Sequence, residues 1–174
     1  NMCKKNYFMK FLGIILLSFS FFSAFFIRDN YGFDFFLWII LICIFTDIGG
    51  YIFGNLFKGP KLTKLSPNKT YSGMIGSYFL AIISSLLLIK NSNLITGKTY
   101  DVTLELFVMV ILISTTSQIG DLIVSFFKRL SKIKDTGNLI PGHGGLLDRI
   151  DGLLFAMPVA YIIFYLNLLK WKRK

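Results

Sequence analysis

The densest run of chemically capable side chains lies between Ser125 and Asp151. It reads Ser125-Phe-Phe-Lys128-Arg129, then Lys134-Asp135, then a Pro141-Gly142-His143-Gly144-Gly145 turn, and closes on Asp148-Arg149-Ile150-Asp151. Gln118, Asp121 and Ser125 fall at i, i+3 and i+7, which puts them on one face of a helix. Asp148 and Asp151 follow at i, i+3 where the next apolar run begins. Acids from two helix ends, with Lys and Arg between them, suit a phosphate held by a cation. Hard oxygen ligands favour Mg2+, and a bound metal neutralises phosphate oxygens and orients an in-line displacement. The glycines let the backbone come close to such a ligand.

Each piece also has a plainer reading. Asp148 or Asp151 alone suits a helix N-terminus. Lys128, Arg129 and Lys132 alone suit interfacial anchors, and His143 alone an ordinary loop. Asp121 is harder to set aside, because a carboxylate within an apolar run is expensive and normally has a partner or a cation. Two further clusters stand upstream. Ser66-Pro67-Asn68-Lys69-Thr70-Tyr71-Ser72-Gly73 offers hydroxyls and a lysine at the entry to a helix, whose N-terminus attracts anions; its plainer reading is a capped loop. Asp47-Ile-Gly49-Gly50-Tyr51-Ile-Phe-Gly54 carries a second acid within an apolar run, and its Gly50/Gly54 pair points to close helix packing.

The elements that must position these residues are membrane helices. Hydrophobic residues make up 54% of the 174, and they come in runs comparable to the roughly 20 apolar residues needed to span a bilayer. Five such runs are 10–27, 35–57, 73–90, 104–127 and 150–169. Only helices or a closed barrel can satisfy the backbone in lipid. A barrel strand alternates apolar and polar residues, and Phe35-Phe36-Leu37-Trp38-Ile39-Ile40-Leu41-Ile42 does not. The predicted class is therefore all-α, a polytopic integral membrane protein of about five transmembrane helices forming one membrane domain over 1–174. The first run, preceded by Lys4 and Lys5, reads as an uncleaved anchor rather than a signal peptide, with no Ala-x-Ala site after it. Pro158 falls within the last run and predicts a kink there.

The net charge of +10 would ordinarily suggest nucleic-acid binding. Here the cations sit at the ends of hydrophobic runs, where they meet lipid headgroups and substrate phosphates, so no nucleic-acid partner is expected. The two longest polar segments, 58–72 and 128–149, are basic and fall on one face together with the N-terminal lysines. The positive-inside rule puts that face in the cytoplasm. The basic tail Lys170–Lys174 falls on the other face and disagrees with this orientation. Cys3 and Cys43 have no zinc-like or disulfide-like spacing, and Cys43 reads as packing.

The 27-residue stretch Ser125–Asp151 resembles the signature of the phosphatidate cytidylyltransferase (CDP-diacylglycerol synthase) family, and Asp47–Gly54 and Ser66–Thr70 resemble two further motifs of it. The resemblance implies Mg2+-dependent transfer of the cytidylyl group of CTP to phosphatidic acid, giving CDP-diacylglycerol and pyrophosphate in phospholipid biosynthesis. It implies Asp121 and Asp148 as metal ligands, with or without a second cation. Lys128, Arg129, His143, Arg149 and Asp151 are then the catalytic group. Asp47, Ser66, Lys69, Thr70, Ser125, Lys134, Gly144 and Gly145 are the substrate-binding group. A homodimer in the cell inner membrane, its site facing the cytoplasm among membrane lipids, completes the expectation. Two departures stand out. Family members are usually longer, with more helices before Asp47. They commonly have Trp-Glu-Gly where this chain has Tyr71-Ser72-Gly73. A minimal enzyme, a fragment and a relative with altered substrate stay open. So do a related CTP-dependent lipid enzyme (a polyprenol kinase or archaeol-type cytidylyltransferase) and a small transporter whose ion path is lined by Asp47, Asp121 and Asp148.

Overall fold

The computed structural model describes residues 2–62, 69–92, 97, 100–131, 133, 145 and 147–166, with side chains from 10 onward except those of 148 and 149. Within them the chain is all-α. Five helices follow one another: α1 (Met2–Asn30), α2 (Phe33–Phe57), α3 (Tyr71–Lys90), α4 (Leu104–Leu130) and α5 (Leu147–Tyr165). Lys10–Asn30, α2, α3 and α4 are each long and apolar enough to cross a bilayer, and Ile150–Tyr165 is a shorter apolar helix. The chain is a multi-pass membrane protein. The expected runs and the helices coincide to within four residues except at the start of α1, which begins at Met2 where the run begins at residue 10, and one shift has a consequence. α4 continues to Leu130, so Lys128 and Arg129 belong to its last turn and not to the loop. There they also face the negative end of the helix dipole.

The helices are apolar on most faces because lipid surrounds much of their circumference. Phe11, Phe21, Phe25, Ile75 and Leu104 are all exposed on the bundle's outside. The core is a seam of Ile27, Ile39, Ile42, Met109, Ile113, Ala156 and Ala160, where α1, α2, α4 and α5 meet. α2 and α3 form the most extensive pair, while α5 packs against both α4 and α1. Small residues set the α2–α3 approach. A Cβ on Gly49 would lie 2.5 Å from the Gly76 carbonyl oxygen, and one on Gly73 would lie 2.7 Å from that of Gly50. The packing expected of the glycine motif in α2 is what it does.

The link from α2 to α3 places the site. α2 ends with Lys58 in the left-handed region at φ 43, its N–H bonded to the Gly54 carbonyl. The two flanks of the link are tied together by Leu62 N–H to Lys69 O at 2.7 Å and Tyr71 N–H to Pro60 O at 3.1 Å. Thr70 caps α3, its hydroxyl accepting from Gly73 N–H at 3.1 Å. Gly73 packs beside Gly54 and Gly50, and Thr70 lies against Gly54, so α3 begins roughly 4–5 Å below the end of α2, at 1.5 Å per residue. Lys69 and Thr70 are thereby sunk into the bundle.

Candidate active site

The sunken start of α3 opens a cavity of about 240 Å³ between α2, α3 and α4. Its wall carries Asp47, Lys69, Thr70, Ser77, Gln118 and Asp121, together with Thr46 and Gly50. Each helix brings its polar face here because its other faces are committed to core or lipid. Gln118 and Asp121 come from one face of α4, as the i, i+3 spacing requires.

Lys69 Nζ is paired with Asp121 Oδ2, each side chain a little under 30% exposed. The other Asp121 oxygen lies 3.5 Å from the Ser125 hydroxyl, a long hydrogen bond one turn further along α4. Asp47, exposed on its side of α2, is near enough for its charge to act on both Asp121 and Lys69. From α5, Asp151 turns inward, buried, its carboxylate within hydrogen-bonding reach of Asp121 and within electrostatic reach of Lys128. Asp151 Oδ1 also accepts from Gly152 N–H at 2.8 Å. Three carboxylates from three helices thus converge, with Lys69 and Lys128 beside them.

The cavity wall is held by hydroxyls that satisfy one another. Thr46 Oγ1 donates to Ser114 Oγ at 2.9 Å, Ser77 Oγ donates to the Thr46 carbonyl at 2.7 Å, and Gln118 Nε2 donates to Ser114 Oγ at 3.4 Å. Tyr78 OH and Thr115 Oγ1 are joined at 2.9 Å. Such bonds are made in place of contacts to water, and in an apolar bundle they fix the polar groups in register. Ser72, at the position of the departure from the expected motif, is bonded to Thr70 Oγ1 at 3.0 Å and accepts from Gly59 N–H at 3.3 Å. It stabilises the turn and lines no part of the cavity.

The structure therefore brings together Asp47, Lys69, Thr70, Asp121 and Asp151 from the expected set, with Lys128 and Ser125 adjoining. Arg129 is exposed on the last turn of α4, and Gly145 is buried. Asp148 and Arg149 lie on the first turn of α5, their side chains outside the described residues; Ser66, Lys134, His143 and Gly144 lie outside them altogether. Among the lining residues outside the expected site set, three carry polar side chains within the helices: Thr46, Ser77 and Gln118. Thr46 and Ser77 signal themselves only as hydroxyls within apolar runs beside an acid or a glycine, whereas Gln118 shares its helix face with Asp121 and Ser125. Among the described residues, no three His, Cys, Asp or Glu side chains form a ready-made metal cage. The donor set still fits a hard dication. It is made of carboxylate and hydroxyl oxygens, and three acids crowd together in a region walled by apolar helices.

Comparison with known proteins assigns this architecture. Residues 2–167 match the cytidylyltransferase family. The chain belongs to that family. It is 39% identical over 153 residues to the phosphatidate cytidylyltransferase of Brucella suis, an alignment covering 86% of this chain and 54% of that protein. It is 37% identical over 143 residues to the Staphylococcus haemolyticus enzyme of that name, covering 82% and 53%. It is 38% identical over 132 residues to that of Rickettsia bellii, covering 72% and 57%. The chain thus spans about half the length of the curated relatives it matches. A solved intramembrane enzyme for archaeal membrane lipid biosynthesis aligns at 17% identity with a TM-score of 0.43, over 74% of this chain and 91% of the other.

A second cavity, of about 210 Å³, lies at the other end of α2 and α3. It is lined mainly by Phe35, Leu37, Trp38, Leu88 and Ile89, with one acid, Asp34, accepting from Tyr100 OH at 3.3 Å. Apart from the membership of Asp34 in α2, none of the chemistry above involves it.

Proposed function

We propose that this chain carries a site for cytidylyl transfer from CTP to phosphatidic acid, yielding CDP-diacylglycerol and pyrophosphate, with the site facing the cytoplasm of a bacterial inner membrane. The observation that carries the reading is the cavity that Asp47, Lys69 and Asp121 line at the start of α3, with Asp151 of α5 reaching Asp121 from beside it. Membership of the cytidylyltransferase family and the names of the relatives narrow the nucleotide and the lipid.

A phosphate oxygen of the lipid attacks the α-phosphorus of CTP. The bond from that phosphorus to the β-bridging oxygen breaks, and pyrophosphate leaves with the electron pair. The attacking phosphate is already an anion near neutral pH, so no residue need act as general base. The catalytic work is positioning and charge. Lys69 and Thr70, just before α3, present an ammonium and a hydroxyl to the cavity, where they can hold the departing phosphates. Lys128, on the last turn of α4, lies on the Asp151 side, where the lipid phosphate would enter from the headgroup level. Mg2+, held by Asp121 and by Asp148, would supply neutralisation of phosphate oxygens. Asp47 and Asp151 add negative charge that favours a cation beside Asp121 and disfavours an unaccompanied anion there. The hydroxyl network of Thr46, Ser77, Ser114 and Gln118 keeps the wall of the cavity rigid.

The test is direct. Purified protein in lipid nanodiscs is supplied with phosphatidic acid, CTP and Mg2+, and CDP-diacylglycerol and pyrophosphate are measured together. One pyrophosphate per CDP-diacylglycerol is expected, with ATP a poor substitute. Phosphorylated alcohol and CDP would identify a kinase, and ion flux without nucleotide would identify a transporter.

A further inference from the structure

Both oxygens of Asp121 have partners: Oδ1 faces the Ser125 hydroxyl, Oδ2 holds Lys69, and the Asp151 carboxylate is also within hydrogen-bonding reach. Each oxygen keeps a further lone pair, but a dication on this carboxylate would repel the Lys69 ammonium, so the two compete for Asp121. The Ser125 contact at 3.5 Å is long, and its donor sits on the same helix at i+4, so it can rotate without disturbing the fold. The Lys69 pair differs. It joins α4 to the turn before α3, and its ammonium is the cation nearest the place a metal would occupy. Lys69 backbone is pinned by its carbonyl bond to Leu62 N–H and by the neighbouring bridge and cap. Only its side chain is free to swing. The pair is only partly covered, each side chain a little under 30% exposed, so a divalent cation can reach the carboxylate and, with twice the charge, compete with the ammonium for it.

We propose that Lys69 is a resident counter-ion of Asp121 which the metal displaces, and that the displaced ammonium is what then grips the nucleotide phosphates. The inference rests on the metal reading above. The same cavity lined by Lys69 and Asp121 also contains Thr70 at the start of α3, so a short swing moves the ammonium from an acid to a phosphate site without leaving the cavity. One exchange therefore does two things. In the empty protein it keeps three crowded carboxylates partly neutralised. On loading, it makes metal and phosphate each favour the other's binding, and such coupling is reciprocal. A phosphate arriving alone finds its lysine engaged and three acids nearby. A metal arriving alone must do without its best anionic partner and evict a cation. Both together meet neither obstacle.

The experiment follows Lys69 itself, in the intact chain and without nucleotide. Lysines are 13C-dimethylated, which keeps their charge, and the Lys69 resonance is assigned by its loss in Lys69→Arg. Mn2+ binding is followed in parallel by electron paramagnetic resonance. Mg2+ is expected to move the Lys69 resonance to the position it takes, without metal, in Asp121→Asn. Lys69→Gln is expected to bind Mn2+ about ten-fold tighter than the unmodified chain, within the usual range for coupled sites. A Lys69 resonance that stays in place while the Mn2+ signal shows the site filled would overturn the displacement and leave the metal reading intact. Absence of Mn2+ binding in every variant would remove the metal reading, and the inference with it. The resonance arm uses the unsubstituted lysine, so misfolding of Lys69→Gln would not remove the test.

Discussion

Gly49→Ala adds one methyl group at the tightest point of the α2–α3 crossing, two residues from Asp47. The new Cβ would sit 2.5 Å from the Gly76 oxygen and 2.9 Å from both the Gly76 carbonyl carbon and Ser77 Cα. All three atoms are backbone, so no side chain can rotate out of the way. Restoring ordinary contact means parting the helices by about 1 Å. Overpacking of this kind costs roughly 1–3 kcal/mol, and alanine returns up to about 1 kcal/mol of helix propensity over glycine. The net loss of stability is therefore small, about 0–2 kcal/mol. The loss of activity is expected to be out of proportion to it. α3 carries Lys69 and Thr70 on its leading end and α2 carries Asp47, so the separation falls across the cavity. A misplacement of about 1 Å can cost on the order of 100-fold in turnover. Gly13→Ala is the control, because a Cβ there meets nothing within 4 Å. It should stabilise slightly and leave turnover unchanged. The assays are thermal unfolding in detergent and CDP-diacylglycerol formation in nanodiscs. A Gly49→Ala protein that matches Gly13→Ala in both would show that the crossing does not set the site.

Asp121→Asn and Asp148→Asn each keep shape while removing a charged oxygen, and each should lower turnover by about 100-fold or more, with insertion into membranes retained; near-normal turnover of Asp148→Asn would reduce Asp148 to a helix cap. Chelation of Mg2+ should abolish the activity of the unsubstituted chain and readdition should restore it, as read by pyrophosphate release. Thr70→Val removes the hydroxyl that caps α3 and should destabilise by about 1 kcal/mol in thermal unfolding, whereas Thr70→Ser keeps the cap and most of the stability. In a background lacking Cys3 and Cys43, single cysteines replacing Asn68 and Asn138 should react only with reagents that reach the cytoplasm and one replacing Asn93 only from outside; labelling of the first two from outside would invert the orientation.

The helices were legible because hydrophobic run length is a strong signal for a segment that must satisfy its backbone within lipid. Their ends were less so. Lys128 and Arg129 read as loop because they are charged, yet they extend α4, since cations are favoured in a helix's last turn. Asp47 and Asp121 stood out because acids are costly within apolar runs, and Asp151 through its i, i+3 spacing from Asp148 at the start of the last run. The ion pair between Lys69 and Asp121 could not be read. It joins residues with the whole of α3 between them in sequence, and which of three acids the lysine meets is decided by how deep α3 is sunk. That depth comes from Gly73 and Gly76 packing on α2, a relation between two segments that neither segment states alone. Thr46 and Ser77 were illegible as lining for the same reason: a hydroxyl in an apolar run faces either a neighbouring carbonyl or a cavity, and only the packing decides; Gln118 was legible through the face it shares with Asp121.

One feature ties the three acids together. Each stands beside a glycine at which two helices come into contact. Asp47 precedes Gly49 and Gly50, which meet Gly76, Ser77 and Gly73 of α3. Asp121 follows Gly120, whose missing side chain is filled by Phe155 of α5. Asp151 precedes Gly152, which lies against Ser117 of α4. Carboxylates repel, and in an apolar bundle that repulsion is poorly screened. Long side chains at these crossings would let the helices drift apart and relieve it. Glycine instead allows contact close enough for dispersion to hold the helices together. The price is a cluster of negative charge that calls for a cation. Lys69 supplies one at Asp121, and the glycines are what keep the acids near enough together to need it.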